Sequence, residues 1–228
     1  MEHRISHSNL MEYVLTVYKD CKICSYPIDC YSVLRNYGFR LYSYADLKEQ
    51  NPQIYKLAMS YTSDSFIIGD IVAFNNQKNQ NRISFSLMHE LGHYVLGHKH
   101  EDPQAEKDAD RFASHFLAPR IMIHKFRCLN ADQIHESFGL SYAASNRALM
   151  SYKKWFNKIC QTTRRPLESE KQLESMFFVQ TGKPDRLETC SSYNHEEDES
   201  IESKSEWLEY YKTLRIFYPE RLQNYIIN

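Results

Sequence analysis

Glycine is scarce in this chain of 228 residues, at six, and proline is little commoner, at seven. Neither a collagen-like repeat nor a glycine-rich linker can be built from so few. A long hydrophobic run is also missing. The longest apolar stretch, residues 66–74, is broken by Gly69 and Asp70, well short of the roughly 20 residues that cross a bilayer. An excess of one charge is absent too. Lys+Arg number 28 and Asp+Glu 29, a formal net charge of −1, which excludes a protein acting mainly as an electrostatic nucleic-acid binder. The polar start MEHRISHSNL has no apolar core of a secretion signal, so the expected location is the cytoplasm, with reduced thiols. Cys21 and Cys24 form a CxxC with Cys30 nearby, but no second pair follows at zinc-finger spacing, so free, partly buried thiols are expected.

What the chain does have is apolar periodicity and histidine. Hydrophobic residues make up 42%, enough for one domain with an appendage. Leu10, Val14, Val17 and Tyr18 predict a helix over 9–20, with Ser8 or Asn9 as its cap. A second helix is expected over 27–37, stopped by Gly38, then a short strand over 39–44. Residues 66–74 read as two short strands with a turn at Gly69-Asp70, or as one bulged strand. A long helix is expected over 82–96, with Gly97 just past its end, and another from Pro103 to Leu117. Two more, over 131–137 and 141–156, meet at Phe138-Gly139-Leu140.

Seven of the ten histidines lie between positions 89 and 135. Within the long helix stands His89-Glu90-Leu91-Gly92-His93. Histidines at i and i+4 share a helix face about 6 Å apart along the axis, so both rings can reach one ion. Glu90, one place after the first histidine, can flank that ion without binding it and take a proton from water. A zinc hydrolase needs a third protein ligand and an open fourth position. The next helix offers Glu106 and Asp110, again at i and i+4. Glu106 is favoured as the third ligand, and Asp110 as the acceptor that fixes a ligand ring. Glu101, Asp102 and Asp108 are weaker candidates. The HExxHxxGxxH spacing does not occur, which disfavours a third histidine. An oxyanion stabiliser is left open among His98, His100, His115, Tyr61 and Arg111.

The runs RISFSLMHELGHYVLGH and EKDADRFASHFLAPR resemble the ImmA/IrrE-type metallopeptidases. His89, Glu90, His93, Glu106, Asp110, Phe112 and Ala113 match that family's motif, and the likeness extends over about residues 8–155. The resemblance implies an α+β, small zincin-like metallopeptidase domain, helices plus a short mixed sheet. Its edge strand, expected at Asp70–Asn75, would pair with an extended substrate. It also implies Zn²⁺ as cofactor and, as protein substrate, a helix-turn-helix repressor encoded nearby, whose cleavage releases mobile-element or stress genes.

The expected organisation is a zincin-like domain over 1–165, including the helical pair 131–156. An acidic linker follows over 166–204, and a C-terminal amphipathic helix over 205–228 completes the helical extension. Residues 188–206 hold seven acids against Lys204. Residues 147–165 hold six basic residues and no acid, which raises a rival: a helix-turn-helix face contacting nucleic-acid phosphates. That reading is set below a helical pair packed on the core with a solvated basic edge. The second rival is a metal-bearing regulator that binds a repressor or antitoxin without cutting it. The intact Glu90 speaks against it.

Overall fold

The computed structural model describes residues 5–98 and 102–177. They belong to the first of two units of the chain, Met1–Lys183 and Pro184–Asn228. Side-chain caps set most helix starts. Ser6, not Ser8 or Asn9, accepts the Asn9 N–H, so α1 runs His7–Asp20 and buries Leu10, Val14, Val17 and Tyr18. Asp29 accepts from Tyr31 and Ser32 N–H, so α2 (Cys30–Asn36) starts later than the expected Pro27. Strand β1 (Arg40–Ser43) follows. Two helices that the periodicity did not announce come next, α3 (Tyr44–Gln50) and α4 (Pro52–Tyr61), the latter capped by Asn51.

Residues 65–74 are two strands with a turn. β2 (Ser65–Ile68) and β3 (Ile71–Phe74) pair antiparallel around Gly69, whose φ of +57° suits a residue without Cβ. β1 joins the far side of β3 in parallel, from Arg40 opposite Ile71 to Ser43 opposite Phe74, giving the order β1-β3-β2. The expectation that Asp70–Asn75 is an edge strand is therefore corrected. β3 is the middle strand because β1 occupies its other side, and the edge strand beside the long helix is β2.

That long helix is α5 (Gln80–Val95), capped by the Asn79 side chain on the Arg82 N–H. It packs on α6 (Pro103–Leu117), which Asp102 caps through the Gln104 and Ala105 N–H groups. The two backbones approach closely at Gly92. A Cβ there would stand 3.1 Å from Phe112 Cδ1 and 3.2 Å from Ala109 Cα. Ala105, Ala109, Phe112, Ala113 and Phe116 make α6 a core-facing helix, with Leu87, Met88 and Leu91 opposite on α5.

The chain then forms α7 (Arg120–Lys125), α8 (Ala131–Phe138) and α9 (Tyr142–Gln161), with Gly139 at φ +65° between the last two. Residues 168–175, expected within a linker, instead form α10 (Glu168–Ser175), which lies on α1 and α7. Buried Leu173 and Glu170 hold it there, apolar and charge contacts that an overall acidic composition conceals. The rest of that linker and the helix expected over 205–228 lie outside the described residues. Cys21, Cys30, Cys128 and Cys160 are free thiols, whereas Cys24 is disulfide-bonded, against expectation. No helix among the described residues is long and apolar enough to cross a membrane.

Candidate metal centre and cleft

A cleft of about 820 Å³ opens between β2, α5, α6 and the start of α9. The i, i+4 spacing on α5 turns His89 and His93 to it, and the same spacing on α6 presents Glu106 and Asp110. The three expected ligands meet. His89 Nε2 and His93 Nε2 are 3.0 Å apart, and Glu106 lies 3.2 Å from each through its two oxygens. One donor atom from each residue falls within 4.8 Å of the others, so the cluster could hold a metal ion.

The hydrogen bonds on the outer side of each ring decide what the inner nitrogens present. Asp110 Oδ1 lies 2.9 Å from His89 Nδ1. A carboxylate accepts, so Nδ1 carries the proton and Nε2 keeps a lone pair aimed at the centre. His93 Nδ1 lies 3.0 Å from His98 Nδ1. With His93 donating there, its Nε2 also presents a lone pair. In that pair of tautomers two ring lone pairs and a carboxylate converge, an arrangement that a cation among them would relieve. Tetrahedral zinc with bonds near 2.0–2.1 Å separates its ligands by about 3.3 Å, so both the chemistry and the spacing of the donor set fit that ion.

Local chain geometry puts His98 in place. Gly97 at φ +69° reverses the chain after α5, and the His98 N–H bonds the His93 carbonyl at 3.0 Å while the Gly97 N–H bonds the Tyr94 carbonyl. This reversal at the helix end folds the His98 ring back onto the His93 ring, with centroids 5.1 Å apart.

Electrostatics separate the two histidines. Burial opposes charge on His89, but the Asp110 hydrogen bond and the carboxylates of Glu90, Asp110 and Glu106 outweigh it, and its pKa rises. Burial, then the neighbouring His89, pushes His93 down despite Glu106. Glu90 sits beside the pair without joining the three-donor cluster. Ser65 Oγ, from edge strand β2, donates to Glu90 Oε1 at 2.8 Å and fixes one carboxylate oxygen.

The other candidates go elsewhere. Asp102 caps α6, and its backbone N–H bonds from Ala105 and Gln104 hold its carboxyl below the usual range. Asp108 is buried, accepting from the Ile5 N–H and from Arg111 at 2.5 Å. Arg111 is thereby tied to the foot of α1, with a second bond to the Ile5 carbonyl. His115 packs against His7, with ring centroids 5.0 Å apart, away from the cleft. Glu101, His100 and the Tyr61 side chain lie outside what is described. Sequence reasoning did not place Ser65, Arg82 or Arg147 at the cleft, yet all three line it. Arg82 is engaged by Asp64 at 2.5 Å. No local pattern marks Ser65, since strand pairing brings it to the site.

Residues 47–150 match the family model described as IrrE N-terminal-like domain, Peptidase_M78. No curated protein and no solved structure matches the chain. The matched segment runs from the middle of α3 to the middle of α9 and contains each residue of the three-donor cluster. Residues 47–150 of this chain carry an IrrE N-terminal-like domain, in agreement with the resemblance to the ImmA/IrrE-type metallopeptidases.

Proposed function

We propose that this protein is a zinc endopeptidase. The observation that carries the reading is the convergence of His89 Nε2, His93 Nε2 and Glu106 on one point, with a hydrogen-bonded carboxylate, Glu90, beside it. In this reading His89, His93 and Glu106 hold Zn²⁺, and Asp110 orients His89. When bound, the ion supplies Lewis acidity, polarising the scissile carbonyl and acidifying water. Glu90 takes a proton from the attacking water and delivers it to the departing amine. Ser65 keeps the Glu90 carboxylate turned toward the cleft. His98 holds the His93 ring through Nδ1, which makes it a positioning residue and not an oxyanion donor. The substrate strand pairs along β2, whose Ser65, Phe66 and Ile67 line the cleft.

The resemblance to ImmA/IrrE peptidases extends the proposal to the substrate: a cytoplasmic helix-turn-helix repressor whose cleavage switches on mobile-element or stress genes. The peptidase domain comprises residues 1–165 together with α10, which packs on its core. The test is co-incubation of the zinc-loaded chain with a repressor encoded beside it, followed by mass spectrometry of the fragments. A single new pair of termini, absent with the Glu90→Gln variant, is the expected result. A repressor left whole by the wild type, yet retained in a stable complex, would favour a non-cleaving regulator.

A further inference from the structure

The cleft does not end at the three-donor cluster. Arg147, near the start of α9, lines its wall, and α9 continues from there past the residues that line the cleft. Arg147, Lys154 and Lys158 stand at i, i+7 and i+11, within about 40° around the helix axis and over about 16 Å along it. All three are exposed, and Lys153 flanks them. The sequence of α9 contains no Asp or Glu. Among the described residues none of these four side chains forms an ion pair. Some cations elsewhere in the domain are matched, among them Arg40 with Asp70, Arg82 and Lys78 with Asp64, Arg111 with Asp108, and Lys171 with Glu168, while isolated ones such as Lys22 and Lys56 are not; what sets α9 apart is that its unmatched cations line up on one face. An exposed helix usually gains from carboxylates spaced i, i+4 from its lysines, and α9 forgoes them.

We propose that this stripe is a second binding surface for the protein substrate and takes an acidic segment adjacent to the scissile bond. The proposal rests on the peptidase reading. Continuity with the cleft fixes the occupant. A chain leaving the active site passes Arg147 first and then meets Lys154 and Lys158. An extended peptide advances about 3.3 Å per residue and turns every second side chain to one face, so carboxylates at positions n, n+2 and n+4 face the stripe together. A nucleic-acid backbone suits the place less well, because it would carry a phosphate at every step up to Glu90, Glu106 and Asp110 at the inner end of the stripe, whereas a peptide can be uncharged where it enters the cleft. Exposed pairs are individually weak, so recognition comes from three acting together and weakens with salt.

Fluorescence anisotropy on the full-length, zinc-loaded Glu90→Gln protein tests this. The probes are a labelled 12-residue peptide with Glu at n, n+2 and n+4, the same peptide with Gln there, and a labelled 20-base-pair DNA duplex. The Glu peptide is expected to bind about tenfold more tightly at low salt, and the Lys154→Glu/Lys158→Glu double variant to abolish that preference. Equal binding of the two peptides overturns the proposal, as does a preference that survives the double variant. Duplex binding tighter than the Glu peptide and lost in the double variant overturns it in favour of a nucleic-acid surface. Hydrolysis of an internally quenched peptide by the wild-type chain is followed in parallel. Hydrolysis without the acidic preference refutes the stripe alone, and acidic preference without hydrolysis refutes the peptidase reading on which the stripe rests.

Discussion

Two clusters of histidine and carboxylate flank α6, and they are built for opposite ends. In the cleft, His89, His93 and Glu106 converge on one point with no Lys or Arg among them, and Asp110 holds the His89 ring. On the other side, His7, His115 and Glu170 surround Arg120. Glu170 is 1% exposed, and its Oε1 faces His7 at 3.6 Å and Arg120 at 3.7 Å. Its Oε2 accepts from the Leu167 N–H at 2.9 Å and from Trp155 Nε1 at 3.3 Å. Burial lowers the pKa of His115 well below its usual value, and the positive Arg120 lowers it further. The second cluster carries its own positive charge and closes up as a clasp between α1, α6, α7 and α10. The first leaves the positive charge to be supplied. Residue types alone do not separate a metal site from a structural one. A guanidinium lodged among the acid and the histidines does: Arg120 sits within the second cluster, whereas Arg82 at the cleft wall is paired with Asp64.

The sharpest way to break this comparison is to remove one member from each side. His93→Ala deletes one of three donors. Zinc content by mass spectrometry should fall to background, with hydrolysis lost and the melting temperature of the metal-free protein barely moved. Glu170→Ala should do the reverse. It strands Arg120 in the interior and should cost about 3–5 kcal/mol of unfolding free energy by denaturant titration, with zinc content unchanged. Should Glu170→Ala release zinc instead, the two clusters are coupled and the contrast fails.

A half-buried histidine outside both clusters sharpens the structural side. His124 lies among Tyr152, Trp155 and Phe156, with Tyr152 Oη 2.9 Å from its Nδ1. Burial, aided by Arg127, holds its pKa down at about 4. The unfolded chain binds a proton near pH 6.5, so this contribution is complete above that pH. It is lost as pH falls toward about 4 and reaches roughly 3 kcal/mol. Urea titrations between pH 7 and pH 4 should show a steep loss of stability that His124→Phe flattens; parallel curves for the two proteins would rule the assignment out.

The smallest effect is expected at the outer support of the metal site. Asp110→Asn keeps the shape but weakens the hold on the His89 ring. Zinc affinity measured by competition with a chelator should drop about 10–100-fold, and His98→Ala should act similarly through His93. Unchanged affinity in both would mean that the rings are held by packing alone.

The convergence in the cleft was legible because helical spacing is rigid. Four residues separate His89 from His93, and four separate Glu106 from Asp110, so each pair shares a face before any tertiary contact is known. The helix ends at Gly97 and Pro103 were legible for the same local reasons. Long-range placement was not. Which strand forms the sheet edge depends on β1 crossing to pair with β3, and nothing in residues 66–74 encodes that. Ser65 reaches Glu90 across 25 positions of sequence, and Arg147 reaches the cleft from a helix whose basic run reads as a solvated edge. The α10 helix hid inside an acidic region because its anchor is itself an acid, buried against Arg120.

X-ray absorption at the zinc edge of the loaded, full-length protein tests the central claim most directly. The account predicts a shell of nitrogen and oxygen neighbours at about 2.0–2.1 Å with the outer-shell pattern of two imidazoles, falling to one in His93→Ala. A sulfur shell at about 2.3 Å, or a nitrogen and oxygen shell without imidazole scattering, would contradict it.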